Sequence, residues 1–209
     1  MSVGTGTRTG TERSTRDVIL DVAYRRFAEL GYERTSLDTI AEEVGIRRPS
    51  VLHHFPSKAD LYRAVLLRPF TEWVDRVGNE VPADLVGWPR IESVLDATFR
   101  FFTENPDFVR LARREAAEGG PVFIDELAGV LRPLFERAVN FLEREMDAGR
   151  IRRHDPRQVI FTGYGAIVAY FSDGPLVTAL VGRHPLDRRA LDERSNHLIE
   201  FFRIALAPS

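Results

Sequence analysis

The chain has 209 residues, 44% of them hydrophobic and 29% charged, which is the balance of a globular protein with enough apolar material for a core. The absence of cysteine excludes disulfides, thiolate zinc sites and cysteine nucleophiles. The formal net charge of −2 gives no overall attraction to nucleic acid, so a DNA-binding surface would depend on where individual charges lie. No apolar run approaches the roughly 18 residues of a membrane span, and residues 1–14 lack the apolar segment of a signal peptide, so we expect a cytoplasmic protein that does not bind a membrane.

Every predicted element is a helix, because apolar residues recur at spacings of three and four and no segment alternates as a half-buried strand does. Residues 1–14 lack this periodicity and are expected to form a disordered tail. The first helix is predicted to begin at Thr15, with Val18 and Phe27 on its apolar face. It is expected to end at Gly31, since glycine suits the left-handed position after a helix.

Three shorter helical segments follow. The second helix is predicted over residues 36–44, where Thr35 and Asp38 have the spacing of a capping box. A third is predicted over residues 48–54, and Ser57 is expected to cap a fourth. Helices this short can form only a small module around a shared apolar core.

The helices lengthen beyond residue 80, and proline, glycine and aspartate mark their ends. They are predicted over residues 88–105, 107–118, 121–147, 156–172, 176–181 and 186–206. Asp107 is expected to cap one of them and Pro133 to interrupt another. The sequence thus predicts an all-α protein, with an N-terminal three-helix domain over 15–66 and a larger helical bundle over 67–209.

The second and third predicted helices have the features of a helix-turn-helix, in which the second helix of the pair enters the major groove of DNA. Such a pair needs a small residue at the turn, and Gly45 stands there. The third helix then begins with polar and basic residues where base edges and phosphates would lie, namely Arg47, Arg48, Pro49 and Ser50.

Residues 31–61 carry, in order, Gly, Thr-Ser, Ile-Ala, Val-Gly, His-Phe and Ser-Lys-x-x-Leu elements. This run closely resembles the DNA-binding domain of the tetracycline-repressor-like (TetR) family, and the likeness extends over residues 15–65. The rest of the chain resembles the family in length, helical pattern and aromatic content. The resemblance implies a homodimeric transcription repressor that binds a palindromic double-stranded DNA operator and is released by a small-molecule inducer.

Carried over residue by residue, the resemblance assigns DNA contacts to Thr35, Arg47, Arg48, Pro49, Ser50, His53 and Lys58. Among these, Arg48 is the better candidate for a contact with guanine O6 and N7. Two positions depart from the family. Leu52 stands where tyrosine is usual, which removes one hydroxyl contact with phosphate, and Arg47 stands where a capping serine is frequent.

The larger half is rich in phenylalanine, and Gly163 and Gly165 punctuate an otherwise bulky helix. Aromatic walls between helices are typical of pockets for apolar ligands, but an aromatic stripe more often belongs to a solid core. The candidate ligand-binding residues are Phe99, Phe102, Leu111, Phe123, Leu127, Leu131 and Tyr164. The effector is predicted to be a small, largely apolar molecule.

The last helices carry more apolar side chains than one chain can readily bury. They are Ile167, Ala169, Tyr170, Leu176, Leu180, Leu198, Ile199, Phe201, Phe202 and Ile204. In the family these positions form a four-helix bundle across a two-fold axis, so the resemblance implies a homodimer.

Two other classes of function stay open at this point. An enzyme would need a catalytic set, and the spacing does not pair Glu115 with Asp173. His53 and His54 are neighbours on a helix and do not face each other, so neither a metal nor a cofactor is expected. A helical ligand-binding or interaction protein that has lost specific DNA binding is the second alternative, and Leu52 in place of tyrosine is its support.

Overall fold

The computed structural model describes residues 13–118 and 121–208, and the side chains of these residues except at 110, 114–118 and 121–123. Every regular element in the described ranges is an α-helix, which confirms the predicted all-α fold. Most of the predicted disordered tail, residues 1–12, lies outside the described part of the chain.

The described helices are α1 Thr15–Arg34, α2 Leu37–Val44, α3 Arg48–His54, α4 Lys58–Glu80, α5 Gly87–Glu104, α6 Pro106–Glu118, α7 Pro121–Asp147, α8 Pro156–Ser172, α9 Gly174–Val181 and α10 Arg188–Leu206. The chain folds into two compact units that divide between Val65 and Leu66. This division falls inside α4, and each unit has apolar side chains buried in its own interior.

The core of the first unit takes side chains from all four of its helices. They are Ile19, Leu20, Val22, Ala23, Phe27, Leu37, Ile40, Ala41, Val51, Phe55, Leu61 and Val65. Charged side chains tie α1 to α2 outside this core, because Arg26 Nε and Arg25 Nη2 donate to the two carboxylate oxygens of Glu43 at 2.6 and 3.0 Å. Hydrogen bonds from Arg25 and then Arg26 hold the pKa of Glu43 below its ordinary value.

The ends of α1 follow the sequence pattern closely. Ser14 caps the helix, since its hydroxyl accepts a hydrogen bond from the backbone N–H of Asp17 at 3.2 Å. Gly31 leaves helical geometry with φ 78° and ψ 172°, so the regular part of α1 ends at the predicted residue. Residues 32–34 form one further helical turn beyond it.

Aromatic side chains fill much of the core of the second unit. The ring of Phe102 lies 6.1 Å from that of Phe171, 6.4 Å from that of Trp73 and 6.5 Å from that of Phe108, measured between centroids. Phe99 lies 5.2 Å from Phe171 in the same way. This spacing is that of edge-to-face and offset aromatic packing, which fixes α4, α5, α6 and α8 against one another.

Two predicted helix signals were wrong. Pro133 does not interrupt α7, which runs without a break from Pro121 to Asp147. Its ring would crowd the carbonyl of Gly129, but both residues are exposed, so that carbonyl can turn to water at little cost. Asp107 does not precede α6, because the helix already begins at Pro106 and Asp107 lies in its first turn.

In the described ranges no single helix has the length and apolar content needed to cross a membrane. The bent pair Pro156–Ser172 and Gly174–Val181, whose axes meet at 80°, meets that test of length and composition only when its two helices are taken together.

Candidate DNA-binding surface and effector domain

Local hydrogen bonds fix the sharp turn between α2 and α3. Ser36 caps α2, because its Oγ accepts from the backbone N–H of Thr39 at 3.1 Å. At the other end of α2, Gly45 is left-handed, with φ 77° and ψ 29°, and its N–H donates to carbonyl oxygens in the last turn. The N–H of Ile46 donates to the carbonyl of Ala41 at 2.9 Å. The pair therefore has the tight glycine turn of a helix-turn-helix.

One face of α3 is buried and its opposite face is polar and exposed. Val51 is fully buried, and Phe55, directly after the helix, is nearly so. The exposed side chains are those of Arg47, Arg48, Pro49, Ser50 and His53. Arg47 occupies the N-cap position and makes no side-chain cap hydrogen bond, as its replacement of a capping serine predicts. These polar groups gather at the N-terminal part of the helix, where a groove-binding helix contacts bases.

Arg48 is paired with an acidic residue of the preceding helix. Its Nη1 lies 3.4 Å from Asp38 Oδ2, and both side chains are more than half exposed. An ion pair with this separation and this exposure to solvent is weak. The guanidinium of Arg48 can therefore leave Asp38 when a stronger acceptor is offered.

Lys58 is less free than the sequence suggests. Its Nζ donates to the carbonyl oxygen of Glu33 at 3.3 Å and lies 4.2 Å from the ring centroid of Tyr32. These contacts use one of the three donors on the ammonium group. Lys58 is thus fixed beside the end of α1 with hydrogen-bonding capacity to spare.

Thr35 was predicted to cap α2 and to contact DNA, and both predictions were wrong. Its side chain is only 3% exposed, and its hydroxyl donates to the carbonyl oxygens of Gly31 at 2.8 Å and Arg26 at 3.2 Å. It therefore neither caps α2 nor offers a group to phosphate. Ser36, one residue later, is the cap, and its exposed hydroxyl lies 2.8 Å from that of Thr39.

Two further polar residues near this surface were not predicted. Arg16 is exposed, and its guanidinium carbon lies 4.9 Å from the ring centroid of Phe55, at the end of α3. Thr39 is exposed in the first turn of α2. The helical period indicates that Arg16 lies on the polar face of α1, but it does not indicate which helix is its neighbour.

Two family patterns match the chain. Residues 19–65 match "Bacterial regulatory proteins, tetR family", and residues 89–201, more than half of the chain, match "Tetracyclin repressor-like, C-terminal domain". The chain belongs to the TetR family. The α2–α3 pair is accordingly the DNA-binding element of a transcriptional regulator, as the resemblance of residues 15–65 implies.

Relatives over most of the chain are also TetR-type regulators or share their fold. The HTH-type transcriptional regulator RutR of Escherichia coli K12 is 28% identical over 178 residues, which are 85% of this chain and 84% of RutR. AibR, solved with isovaleryl coenzyme A and operator DNA, superposes with a TM-score of 0.72 at 17% identity, covering 90% of this chain and 97% of AibR. FadR of Bacillus subtilis, solved with stearoyl-CoA, gives 0.72 at 16% identity, covering 88% and 96%. At these identities the two solved structures show the fold alone.

Five of the residues predicted to contact an effector lie in the interior of this TetR-type second unit. Phe99, Phe102 and Leu111 are buried, and Leu127 and Leu131 are half-buried. Phe99 and Phe102 belong to the aromatic core around Phe171. The geometry thus brings these two together, but as parts of packed core, and their contact with an effector stays a prediction.

The other two predicted effector residues differ. Tyr164 is 62% exposed and lies on the same face of α8 as Phe161, so the prediction that it lines an interior pocket was wrong. The side chain of Phe123 lies outside the described residues.

The residues predicted for the dimer face differ in burial, and Ala169, Tyr170 and Ile199 are half-buried. Ile167, Leu198 and Phe202 are each only 3% exposed, so they belong to the core of the chain itself and their assignment to an interface was wrong. A second group stays exposed on α8, α9 and α10, and it includes three residues that were not predicted. We call it the C-terminal apolar face: Phe161, Tyr164, Leu176, Leu180, Val181, Phe201 and Ile204.

Proposed function

We propose that the protein is a homodimeric repressor that binds a palindromic operator through α3 and is released when a small, largely apolar molecule binds its second unit. The observation that carries this proposal is the construction of α3. Val51 within the helix and Phe55 directly after it are buried in the core of the first unit. The arginines at its N-terminal end are exposed and make no strong ion pair.

On the DNA, Arg48 leaves Asp38 and takes a guanine, because the planar guanidinium matches O6 and N7 in a bidentate contact. Arg47 and Pro49 lie beside it at the start of α3. Ser50, His53 and Lys58 contact phosphates, and these contacts fix the position of the helix without reading sequence. In place of Thr35, the exposed hydroxyls of Ser36 and Thr39 serve the backbone contact at the start of α2.

The C-terminal apolar face supports a two-fold dimer. Leu180 is 77% exposed and Ile204 61%, and large apolar residues gathered on adjacent helices mark an interaction surface. A closed dimer covers this face on both chains at once. Two α3 helices related by a two-fold axis fit half-sites about 34–36 Å apart or a multiple of that distance.

An effector that binds the second unit releases the operator by favouring dimers whose α3 helices no longer match this spacing. AibR and FadR, which share the fold, were solved with acyl-coenzyme A ligands, and this supports an effector with a substantial apolar part. Phe99, Phe102, Leu111, Phe123, Leu127 and Leu131 are its proposed contacts.

The test uses fluorescence anisotropy to measure binding of the purified full-length protein to the DNA upstream of its own gene. We expect saturable binding that weakens by at least about a hundredfold between 50 and 200 mM salt, since phosphate contacts release counterions. Arg48→Ala should reduce the free energy of operator binding by about 1–3 kcal/mol and relax specificity at one base pair. Lys58→Ala should instead weaken binding to all DNA sequences alike.

Arg153→Ala is the matched control, because this arginine is exposed in the second unit, where it pairs with Asp147. It should leave the affinity for DNA unchanged. If neither Arg48→Ala nor Lys58→Ala alters retention of any DNA, the protein is instead a helical ligand-binding or interaction protein that has lost specific DNA binding.

A further inference from the structure

A cavity of about 420 Å³ lies between the C-terminal half of α7 and the segment that joins α4 to α5. Its size is within the range of sites for small organic ligands. Leu85, Val86 and Phe141 give it apolar walls. The residues predicted to bind the effector of the second unit do not line it, so it is a different place in the same unit.

The charges that line this cavity are unbalanced. Three arginines, Arg90, Arg137 and Arg144, face one carboxylate, Glu145. That carboxylate is already occupied, because it accepts from the backbone N–H of Gly87 at 2.7 Å and from the guanidinium of Arg150, outside the lining, at 2.5 and 2.8 Å. The cavity therefore presents a net positive charge that Glu145 does not neutralise.

The three arginines differ in their freedom. Arg90 is held in the wall, since its Nη1 donates to the carbonyl oxygens of Pro82 and Ala83 at 3.0 and 2.9 Å and its guanidinium lies 5.4 Å from the ring centroid of Phe141. Arg137 and Arg144 are exposed, and within the described part of the chain neither side chain has a hydrogen bond or an ion pair, although the charge of Arg144 also acts on the carboxylate of Glu145.

Exposed polar groups share one face of α7. Residues 137, 140 and 144 are spaced by three and four, so Arg137, Asn140 and Arg144 succeed one another along the same side of the helix. Phe141 lies beside Asn140 and contributes its ring to the same cavity. Two guanidinium groups and an amide over an apolar wall form a donor set for an anion attached to a compact apolar group.

We propose that this cavity is a binding site for a small organic anion, with a phosphate or carboxylate held by Arg137 and Arg144. Asn140 donates a further hydrogen bond to the anionic group. Leu85 and Phe141 contact the apolar part of the ligand. The site goes beyond the proposed operator and effector functions and does not depend on either of them.

The experiment is isothermal titration calorimetry of the full-length protein in low-salt buffer free of phosphate, with phenyl phosphate, benzoate and phenol as separate probes. We expect saturable binding of phenyl phosphate or benzoate, and the tighter of the two identifies the anionic group that the site prefers. Phenol, which has the ring without the anion, should bind at least about tenfold more weakly.

The variant Arg137→Gln combined with Arg144→Gln should weaken binding of the anionic probe by about tenfold or more, because it removes both charge-assisted donors. Arg132→Gln is the matched control, an exposed arginine of the same helix that does not line the cavity, and it should bind as the unaltered protein does. Circular dichroism of the variants establishes that α7 is intact.

Three results would overturn the proposal. They are the absence of saturable binding for both anionic probes, equal affinity in the double variant, and binding of phenol as tight as that of phenyl phosphate. DNA-binding measurements do not enter this test, so failure of the anion site and failure of the operator proposal are separate outcomes.

Discussion

Arg48 reaches across the glycine turn to Asp38, 3.4 Å away, and this carboxylate stands next to the surface proposed to meet DNA phosphates. An exposed ion pair at this distance adds little to stability. It does oppose DNA, because a fixed negative charge repels phosphate and competes for the guanidinium of Arg48. The Arg48–Asp38 pair therefore weakens binding to DNA sequences that offer no guanine to Arg48.

We predict that Asp38→Asn raises affinity for random-sequence DNA by about two- to fivefold at low salt, since one repulsive charge is removed. The affinity for the operator should rise less, so the ratio between operator and random DNA falls. Fluorescence anisotropy with both DNAs measures this. Asp147→Asn, an exposed aspartate of the second unit, is the control, and equal or weaker random-DNA binding by Asp38→Asn would contradict the prediction.

Glu145 holds the start of α5 against the end of α7, because its buried carboxylate joins the N–H of Gly87 to the guanidinium of Arg150. Glu145→Gln keeps an acceptor for the N–H but removes the charge. We expect it to reduce the free energy of unfolding by about 1–2 kcal/mol. Glu143→Gln, its exposed neighbour on α7, should change stability little, as urea denaturation will show.

The same carboxylate gives a prediction on pH. Hydrogen bonds from Arg150 and from the backbone N–H of Gly87 hold the pKa of Glu145 below the ordinary value of a glutamate. Its contribution to stability is therefore complete above that value and is lost as pH falls through the lowered pKa. The difference in melting temperature between the unaltered protein and Glu145→Gln should thus be constant near neutrality and shrink in acid, at pH values below the ordinary pKa of a glutamate. A difference that grows on acidification would refute this.

At the scale of elements, the turn after α2 depends on one backbone conformation. Gly45 has φ 77°, and a Cβ placed there meets no atom within 4 Å, so strain in the backbone alone opposes a side chain. Gly78, inside α4, also has open space around it but has ordinary helical backbone. The two glycines therefore separate the effect of conformation from that of packing.

We predict that Gly45→Ala destabilises the first unit by about 1 kcal/mol and weakens DNA binding, because α3 shifts with the turn. Gly78→Ala should instead stabilise the protein by up to about 1 kcal/mol, through the lower entropy of its unfolded chain. Thermal unfolding followed by circular dichroism measures both. A similar loss of thermal stability in both variants would show that the left-handed conformation of Gly45 has no special role.

Helix positions followed from the sequence wherever one local signal decides them. The bounds of α3 and α8 were predicted to the residue, since local signals mark them: Pro49 in the first turn of α3, and Asp155 and Pro156 at the start of α8. The start of α2 was not predicted to the residue, because Thr35 and Ser36 both carry a hydroxyl that could cap the helix. The choice depends on Thr35 reaching the carbonyls of Gly31 and Arg26, a contact that spacing does not encode.

For the whole molecule, the helical period predicted the fold but not which apolar face is covered. Phe201 and Phe202 are neighbours in the sequence, yet one is 54% exposed and the other 3%. Both are equally apolar, and only the packing of α10 separates core from surface. The same limit explains why Tyr164 was placed in a pocket when it belongs to the C-terminal apolar face.

We predict that Leu180→Glu combined with Phe201→Glu converts the proposed dimer to a monomer, because a charged side chain cannot be buried between two apolar faces without a partner of opposite charge. Light scattering after size exclusion will give the mass. Val86→Glu, at an exposed apolar residue outside this face, should stay dimeric. A double variant that keeps the dimer mass would place the interface elsewhere.

The C-terminal apolar face also determines how repression responds to the amount of protein. Because this face leaves seven large apolar side chains of a single chain in water, we expect pairing into the proposed dimer to precede stable operator binding. At concentrations below the dimer dissociation constant, the number of competent dimers rises with the square of the number of chains. We therefore expect occupancy of the operator to change steeply with expression level, so that a twofold fall in the concentration of the regulator lowers the occupancy by more than half.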